Sequence, residues 1–257
     1  MEWDETWVRQ AMPLLSLISK GYFRSDVQGM EKVPDGGALL ISNHSGGLLA
    51  FDVPLIAVAF ADHFGPARPL YTLAHDILFQ VGGGALLSKF GFLRAHPRNA
   101  VAALESGAAT LVFPGGDWDV MRPSRDDARI DFGGRTGYIR TALEADVPIV
   151  PIVTIGAQET QWFLTRGEGL AKLLRLDKLL RIKGTPLSLG FPFGLTAGLP
   201  ANIPLPSKMT TRVLDPIDIR AEFGTDPDIA EVDQMIRKHM QHALDDLARK
   251  RRLPVLG

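Results

Sequence analysis

The chain contains no cysteine, which removes disulfides, cysteine nucleophiles and thiolate-bound metals from its chemistry. It has no surplus of either charge: 28 basic residues stand against 29 acidic ones, for a net charge of −1 at pH 7. Nucleic-acid binders carry a basic excess, so no nucleic-acid partner is expected. Nor is there an apolar run of the roughly 20 residues that a bilayer-spanning helix needs. Residues 38–61 are interrupted by Asn43, His44 and Asp52, and residues 70–93 by His75, Asp76, Gln80, Lys89 and the triplet Gly82-Gly83-Gly84. The opening Met1-Glu2-Trp3-Asp4-Glu5 is acidic where a secretory leader is basic. The expectation is a soluble or peripherally attached protein without a transmembrane helix.

Several catalytic devices are missing too. No Gly-x-Ser-x-Gly elbow and no Walker A loop occur, and Gly82-Gly83-Gly84 lacks the Lys-Ser/Thr of a phosphate loop. The six histidines include no pair at metal-ligand spacing, so neither a metal nor a resident cofactor is expected.

What is present reads as an α/β protein, and its 257 residues suffice for one large domain spanning 1–257. Trp3, Trp7, Met12, Leu14, Leu15, Ile18 and Phe23 recur at helical spacing, which predicts an amphipathic helix over 3–23 within an N-terminal segment 1–30. Packing on a core and lying on a membrane interface are both open to it. Continuous apolar runs predict buried strands at 38–42, 110–113 and 149–153, with a strand end at Gly91-Phe92-Leu93-Arg94. Helices are predicted from Asp52 to about Asp62, over 76–90 with a glycine interruption, from Arg98 to Gly107 and over 136–145. This alternation implies a mostly parallel central sheet flanked by helices. The segment 184–257 differs. Leu187, Leu189, Phe191 and Phe193 alternate as in a strand, an irregular proline-rich stretch follows to 206, and 228–250 is an amphipathic helix ending in a basic tail. Core packing and bilayer contact are equally open for 187–205.

Chemistry gathers at the predicted strand ends. His44 follows the first buried strand, at the carboxyl end where open α/β sheets place ligands, and histidine is the side chain suited to take a proton near neutrality. Asp52 is the nearest downstream carboxylate. Eight residues of straight helix would separate the two by about 12 Å, so the Gly46-Gly47 loop must fold back for them to meet. Spacing alone leaves a loop histidine with a helix cap as the plainer reading. Further along, Phe113-Pro114-Gly115-Gly116 closes the 110–113 strand and exposes backbone N–H groups suited to an oxyanion or phosphate. Asp117, Asp119 and Arg122 come next. Arg94 and Arg98 bring guanidiniums to another strand end.

The order of these blocks resembles the PlsC-type lysophospholipid acyltransferase superfamily, in a divergent branch. Asn43-His44 with Asp52, then Gly91-Phe92-Leu93-Arg94, Phe113-Pro114-Gly115-Gly116 and Val147-Pro148-Ile149-Val150-Pro151 carry the resemblance over residues 38–155. It implies a glycerolipid acyltransferase fold, with His44 as general base and Asp52 orienting it. It further implies that Arg94, Arg98, Gly115, Gly116 and Arg122 bind the phosphorylated acceptor. A backbone N–H near Gly46 or Gly115 would stabilise the oxyanion. The implied reaction moves a fatty acyl group from acyl-CoA or acyl carrier protein to lysophosphatidate or glycerol 3-phosphate, giving phosphatidic acid, at a membrane surface. Two departures stand out: the usual His-to-Asp spacing ends at Leu49, and the usual Pro-Glu-Gly-Thr-Arg reads Pro114-Gly115-Gly116-Asp117-Trp118. They open two alternatives, a neutral or glycosylated lipid acceptor such as diacylglycerol, and a non-catalytic lipid-binding protein.

Overall fold

The computed structural model describes residues 1–45, 49–80, 83–126, 128–169, 185–198, 201–251, 253 and 255–256. The strands in chain order are β1 (Asp26–Gln28), β2 (Ala38–Ser42), β3 (Leu70–Ala74), β4 (Phe92–Arg94), β5 (Ala109–Val112), β6 (Ile149–Ile155), β7 (Trp162–Thr165), β8 (Leu187–Gly190), β9 (Gly194–Ala197) and β10 (Thr210–Val213). The helices are α1 (Glu5–Ser16), α2 (Asp52–Phe64), α3 (Ile77–Gln80), α4 (Gly84–Lys89), α5 (Pro97–Glu105), α6 (Gly116–Val120), α7 (Gly137–Ala145), α8 (Ile219–Phe223) and α9 (Ile229–Lys250).

The main sheet runs β1-β10-β6-β2-β5-β3-β4. The five strands from β6 to β4 are mutually parallel, as expected, and β10 joins β6 antiparallel. Alternation along β2 sets the layers. Leu39 and Ile41 pack with Ile149 and Val153 against α7 and α9, on a core that includes Tyr138, Ile139, Val232, Ile236 and Leu244. Ala38 and Leu40 face the other way and pack with Leu111 and Val150 against Ile56 and Phe60 of α2. Because both faces are covered, β2 reads as an unbroken apolar run. Each large aliphatic side chain buried here contributes about 1.5–3 kcal/mol.

Three differences from the sequence reading bear on the site. Leu70–Ala74 is a strand, β3, inserted between β5 and β4. The N-terminal helix ends at Ser16 and continues as a wider π-helical stretch, Leu17–Tyr22. The 187–197 region forms two strands that pair with β7 in a separate three-stranded antiparallel sheet.

Candidate active site

β2 carries Asn43 and His44 to the carboxyl edge of the main sheet. Asn43 extends the β2–β6 pairing by side chain: its Nδ2 donates to the Thr154 carbonyl at 2.9 Å, and its Oδ1 accepts the Thr154 N–H at 3.0 Å. His44 therefore leaves a fixed rung. The chain does fold back, and His44 Nδ1 lies 3.0 Å from Asp52 Oδ2 and 3.2 Å from Oδ1. The Ser45 N–H donates to the same Oδ2 at 2.9 Å. Asp52 is fully buried and sits in the first turn of α2, where its Oδ1 accepts the Val53 N–H at 3.0 Å. The positive end of a helix favours a carboxylate there.

This geometry assigns the imidazole. A carboxylate only accepts, so the ring proton belongs on Nδ1 and the lone pair on Nε2. The ring lies flat on Phe113, with centroids 3.9 Å apart and planes 7° from parallel. The His44 side chain is 10% exposed.

Beneath it is a second carboxylate. Asp119 Oδ2 accepts the backbone N–H of His44 at 2.6 Å, and its Oδ1 is ion-paired with Arg122. Arg122 also donates to the Arg129 carbonyl and is 1% exposed. Burial lowers its pKa to about 10, with Asp131 pulling the other way. Arg122, expected to contact substrate, lies in the interior behind Asp119, because a guanidinium one turn from a buried carboxylate is drawn to it.

The Phe113-Pro114-Gly115-Gly116 turn follows at the end of β5. The Gly116 N–H is used on the Phe113 carbonyl at 3.0 Å, closing the turn instead of facing a ligand. The glycines make room. A Cβ on Gly115 would stand 2.5 Å from the Asp119 Cβ, and one on Gly116, at φ 49°, would stand 2.9 Å from Arg135 Nη1. Arg135, which sequence reading missed, bonds the Gly115 carbonyl and holds Asp117 Oδ1 at 2.6 Å. Its preceding Gly133-Gly134 pair was the available clue. Trp118 is held from two sides, with Asp131 accepting its indole N–H at 3.0 Å and the Arg166 guanidinium 4.0 Å above the ring.

Arg94 stands at the end of β4, three strands from β2, hence about 14 Å from the His44 strand. It pairs with Asp76 at 3.2 Å and lies over Phe79, beside a cavity of about 430 Å³ that Phe92 and Ser88 also line. Arg98 is exposed in the first turn of α5. Gly46 lies outside the described residues. Among the described residues no cluster of three or more His, Asp or Glu offers a metal site.

Comparison with known proteins identifies the family. The model of the acyltransferase family matches residues 24–155, just over half of the chain. The chain belongs to the acyltransferase family. Among acyltransferase relatives, an uncharacterized protein of Mycobacterium tuberculosis is 34% identical over 93% of this chain and 66% of its own length. Proteins of Mus musculus and Homo sapiens named DGAT1/2-independent enzyme synthesizing storage lipids are 30% and 31% identical over 74% of this chain. The chain spans just under two thirds of the mycobacterial relative and little more than half of the mammalian ones. The crystal structure of the 1-acyl-sn-glycerophosphate (LPA) acyltransferase PlsC from Thermotoga maritima matches 93% of this chain and 81% of its own, with a TM-score of 0.56. At 16% identity that likeness is one of fold.

Proposed function

We propose that this acyltransferase moves a fatty acyl group from acyl-CoA, or from acyl carrier protein, to the hydroxyl of a neutral glycerolipid at a membrane surface. The observation that carries the reaction is the His44–Asp52 contact, which leaves the Nε2 lone pair to act as the base. Nε2 takes the acceptor's hydroxyl proton and the oxygen attacks the thioester carbonyl. The tetrahedral intermediate collapses as the C–S bond breaks, and the thiol leaves with the proton returned by the imidazolium. Asp52 stabilises that imidazolium and holds its tautomer. No covalent acyl-enzyme is required.

The choice of a neutral acceptor over lysophosphatidate or glycerol 3-phosphate rests on ion pairing. Arg94, Arg122 and Arg135 are each held by a carboxylate of this chain: Asp76, Asp119 and Asp117. A phosphate would have to displace those partners, and Arg122 is sealed from solvent. The storage-lipid synthesis named for the mammalian relatives points the same way. The test is one labelled acyl-CoA offered to monoacylglycerol, diacylglycerol, lysophosphatidate and glycerol 3-phosphate. Preference for a neutral acceptor supports the reading. Preference for a phosphorylated one, lost on Arg94→Ala, restores the phosphatidate-forming activity. Tight lipid binding without turnover, indifferent to His44→Ala, leaves a lipid-binding protein.

A further inference from the structure

A side-chain amide taken out of water loses stability unless its donor and its acceptor are both bonded, so folded proteins pair them. Other buried amides of this chain follow the rule. Asn43 is bonded at both ends to Thr154. Asn202 accepts the Phe193 N–H and donates to the Gly194 carbonyl, each at 3.0 Å. Gln161 Nε2 donates to the Asn202 carbonyl at 2.7 Å. Gln158 departs from the rule. It is 2% exposed, and neither its Nε2 nor its Oε1 has a hydrogen-bond partner among the described residues.

Gln158 stands where the strands of the site end. β6 lies beside β2, and its Thr154 is the residue that Asn43 grips just before His44. Four residues later Gln158 opens a short 3-10 turn, Gln158–Thr160. Ala157, before it, is buried in one cluster with Leu55, a turn along α2 from Asp52. Beyond it, the Gln161 carbonyl accepts the Ser124 hydroxyl at 3.4 Å, and the Phe163 N–H donates to the same Oγ at 2.9 Å. Ser124 belongs to the chain that follows β5, on the other side of β2. The segment thus passes from the β6 side to the β5 side, and the end of β2 that carries His44 lies between. Ser45 shows the same sign there: it is 2% exposed and its hydroxyl has no partner among the described residues. The turn itself is braced. A Cβ on Gly156, at φ 116°, would stand 2.2 Å from the Lys208 carbonyl oxygen. The Thr160 N–H and hydroxyl donate to the Ala157 carbonyl at 3.1 and 2.5 Å, and Glu159 is ion-paired with Arg251. An amide carried on such a turn is held ready for a ligand.

The chemistry of the amide selects its ligand. A carboxamide sets donors and an acceptor side by side. An ester carbonyl, a phosphate oxygen or an oxyanion would use Nε2 and leave Oε1 unpaired. A hydroxyl both gives and takes a hydrogen bond, so it occupies both ends. We infer that Gln158 is a specificity-determining residue of this acyltransferase, holding a second free hydroxyl of the acceptor while the first loses its proton to His44. The inference rests on the proposed neutral acceptor and narrows it to glycerolipids with two free hydroxyls, as in a monoacylglycerol. No bond to the second hydroxyl forms or breaks, so Gln158 binds and orients. An acceptor without that hydroxyl would leave the amide unpaired in the complex, which is how a buried polar group discriminates.

The test offers one labelled acyl-CoA with a monoacylglycerol, with the monoacyl esters of 1,2-propanediol and 1,3-propanediol, and with lysophosphatidate. Each propanediol ester keeps one of the two hydroxyls. Wild type is expected to prefer the monoacylglycerol to both esters by about 10–100-fold in kcat/KM. Gln158→Met keeps the length of the side chain and removes its hydrogen bonds. It is expected to abolish that preference through a higher KM for the monoacylglycerol, with kcat nearly unchanged and little effect on the esters. Its thermal melt without ligand is expected to equal or exceed that of wild type, because an unpaired amide is replaced by an apolar chain of like size. Wild type that uses the esters as well as the monoacylglycerol overturns the inference, whatever the variant does, and leaves the proposed function standing. A variant that keeps the preference overturns it as well. So does a variant that melts well below wild type and loses rate on all acceptors alike, which makes Gln158 structural. A common fall in kcat at unchanged KM and unchanged melts overturns it in favour of an oxyanion contact. Wild type that acylates lysophosphatidate and none of the neutral acceptors sinks the proposed function and the inference with it.

Discussion

The backbone N–H of His44 donates to Asp119 Oδ2 across 75 positions of chain, so His44 is positioned by main chain as well as by ring. The proposed pair of roles is divided: Asp52 orients the imidazole, and Asp119 anchors the peptide from which it projects. Arg122 neutralises Asp119 in a site without solvent.

Asp119→Ala is therefore expected to lower kcat by about 10–100-fold with little change in KM, since it displaces the base by fractions of an ångström. It also strands a buried guanidinium, at a stability cost of about 3–5 kcal/mol. Adding Arg122→Met to Asp119→Ala is expected to recover most of the stability and little of the rate. Thermal melts and steady-state kinetics on the three proteins separate the two effects, and recovery of both would reduce Asp119 to a structural residue.

Asp52→Asn keeps the shape and removes the charge that holds Nδ1–H. The expected loss in kcat is about 10³–10⁴-fold at neutral pH, as for a catalytic histidine left in the wrong tautomer. A loss below tenfold, measured with saturating donor and acceptor, would mean that Asp52 serves α2 more than His44.

Gly115→Ala meets Asp119 at 2.5 Å and is expected to destabilise the fold by about 1–3 kcal/mol while cutting the rate. Gly137→Ala is the control. Its Cβ meets nothing within 4 Å at the start of α7, so it is expected to be neutral or to stabilise by about 0.4–1 kcal/mol. Equal melts for the two variants would contradict the close approach.

Asp131 ties Trp118 and Gly133, and its pKa is lowered: burial alone would raise it, but the hydrogen bonds and nearby Arg122 and Arg129 outweigh that. A carboxyl depressed in the folded state adds stability above its unfolded pKa, near 3.8, and that contribution is lost as pH falls through the folded value. Asp131→Asn is accordingly expected to be less stable at pH 7, with its disadvantage shrinking in acid. Urea titrations of both proteins between neutral pH and the acid limit give the comparison, and a gap that widens in acid would reverse the assignment.

The strand-end chemistry was legible because buried parallel strands announce themselves. Ala38–Ser42 is apolar throughout since both its faces are covered, and the residues that follow must sit on the ligand edge. β3 was hidden because its five residues were read within the longer stretch 70–93, although His75-Asp76 marks its end. β10 was hidden because Thr210-Thr211-Arg212-Val213 is short and polar, and its partner β6 lies some sixty residues away in sequence. The burial of Arg122 was hidden because a sequence shows charge and not burial. Its partner at i−3 was nonetheless in view. The alternation at 187–193 was plain, but alternation does not say which face turns to water.

The stack of His44 on Phe113 bears on temperature as much as on geometry. An imidazole held flat against one ring and tied at Nδ1 has little rotation left to lose on the way to the transition state. Its ordering was completed when the chain folded, so the activation entropy of acyl transfer should be small for a reaction that gathers three molecules. Exchanging Phe113 for leucine would free the imidazole to swing, and the reaction would then slow chiefly through entropy, with its enthalpic barrier nearly untouched.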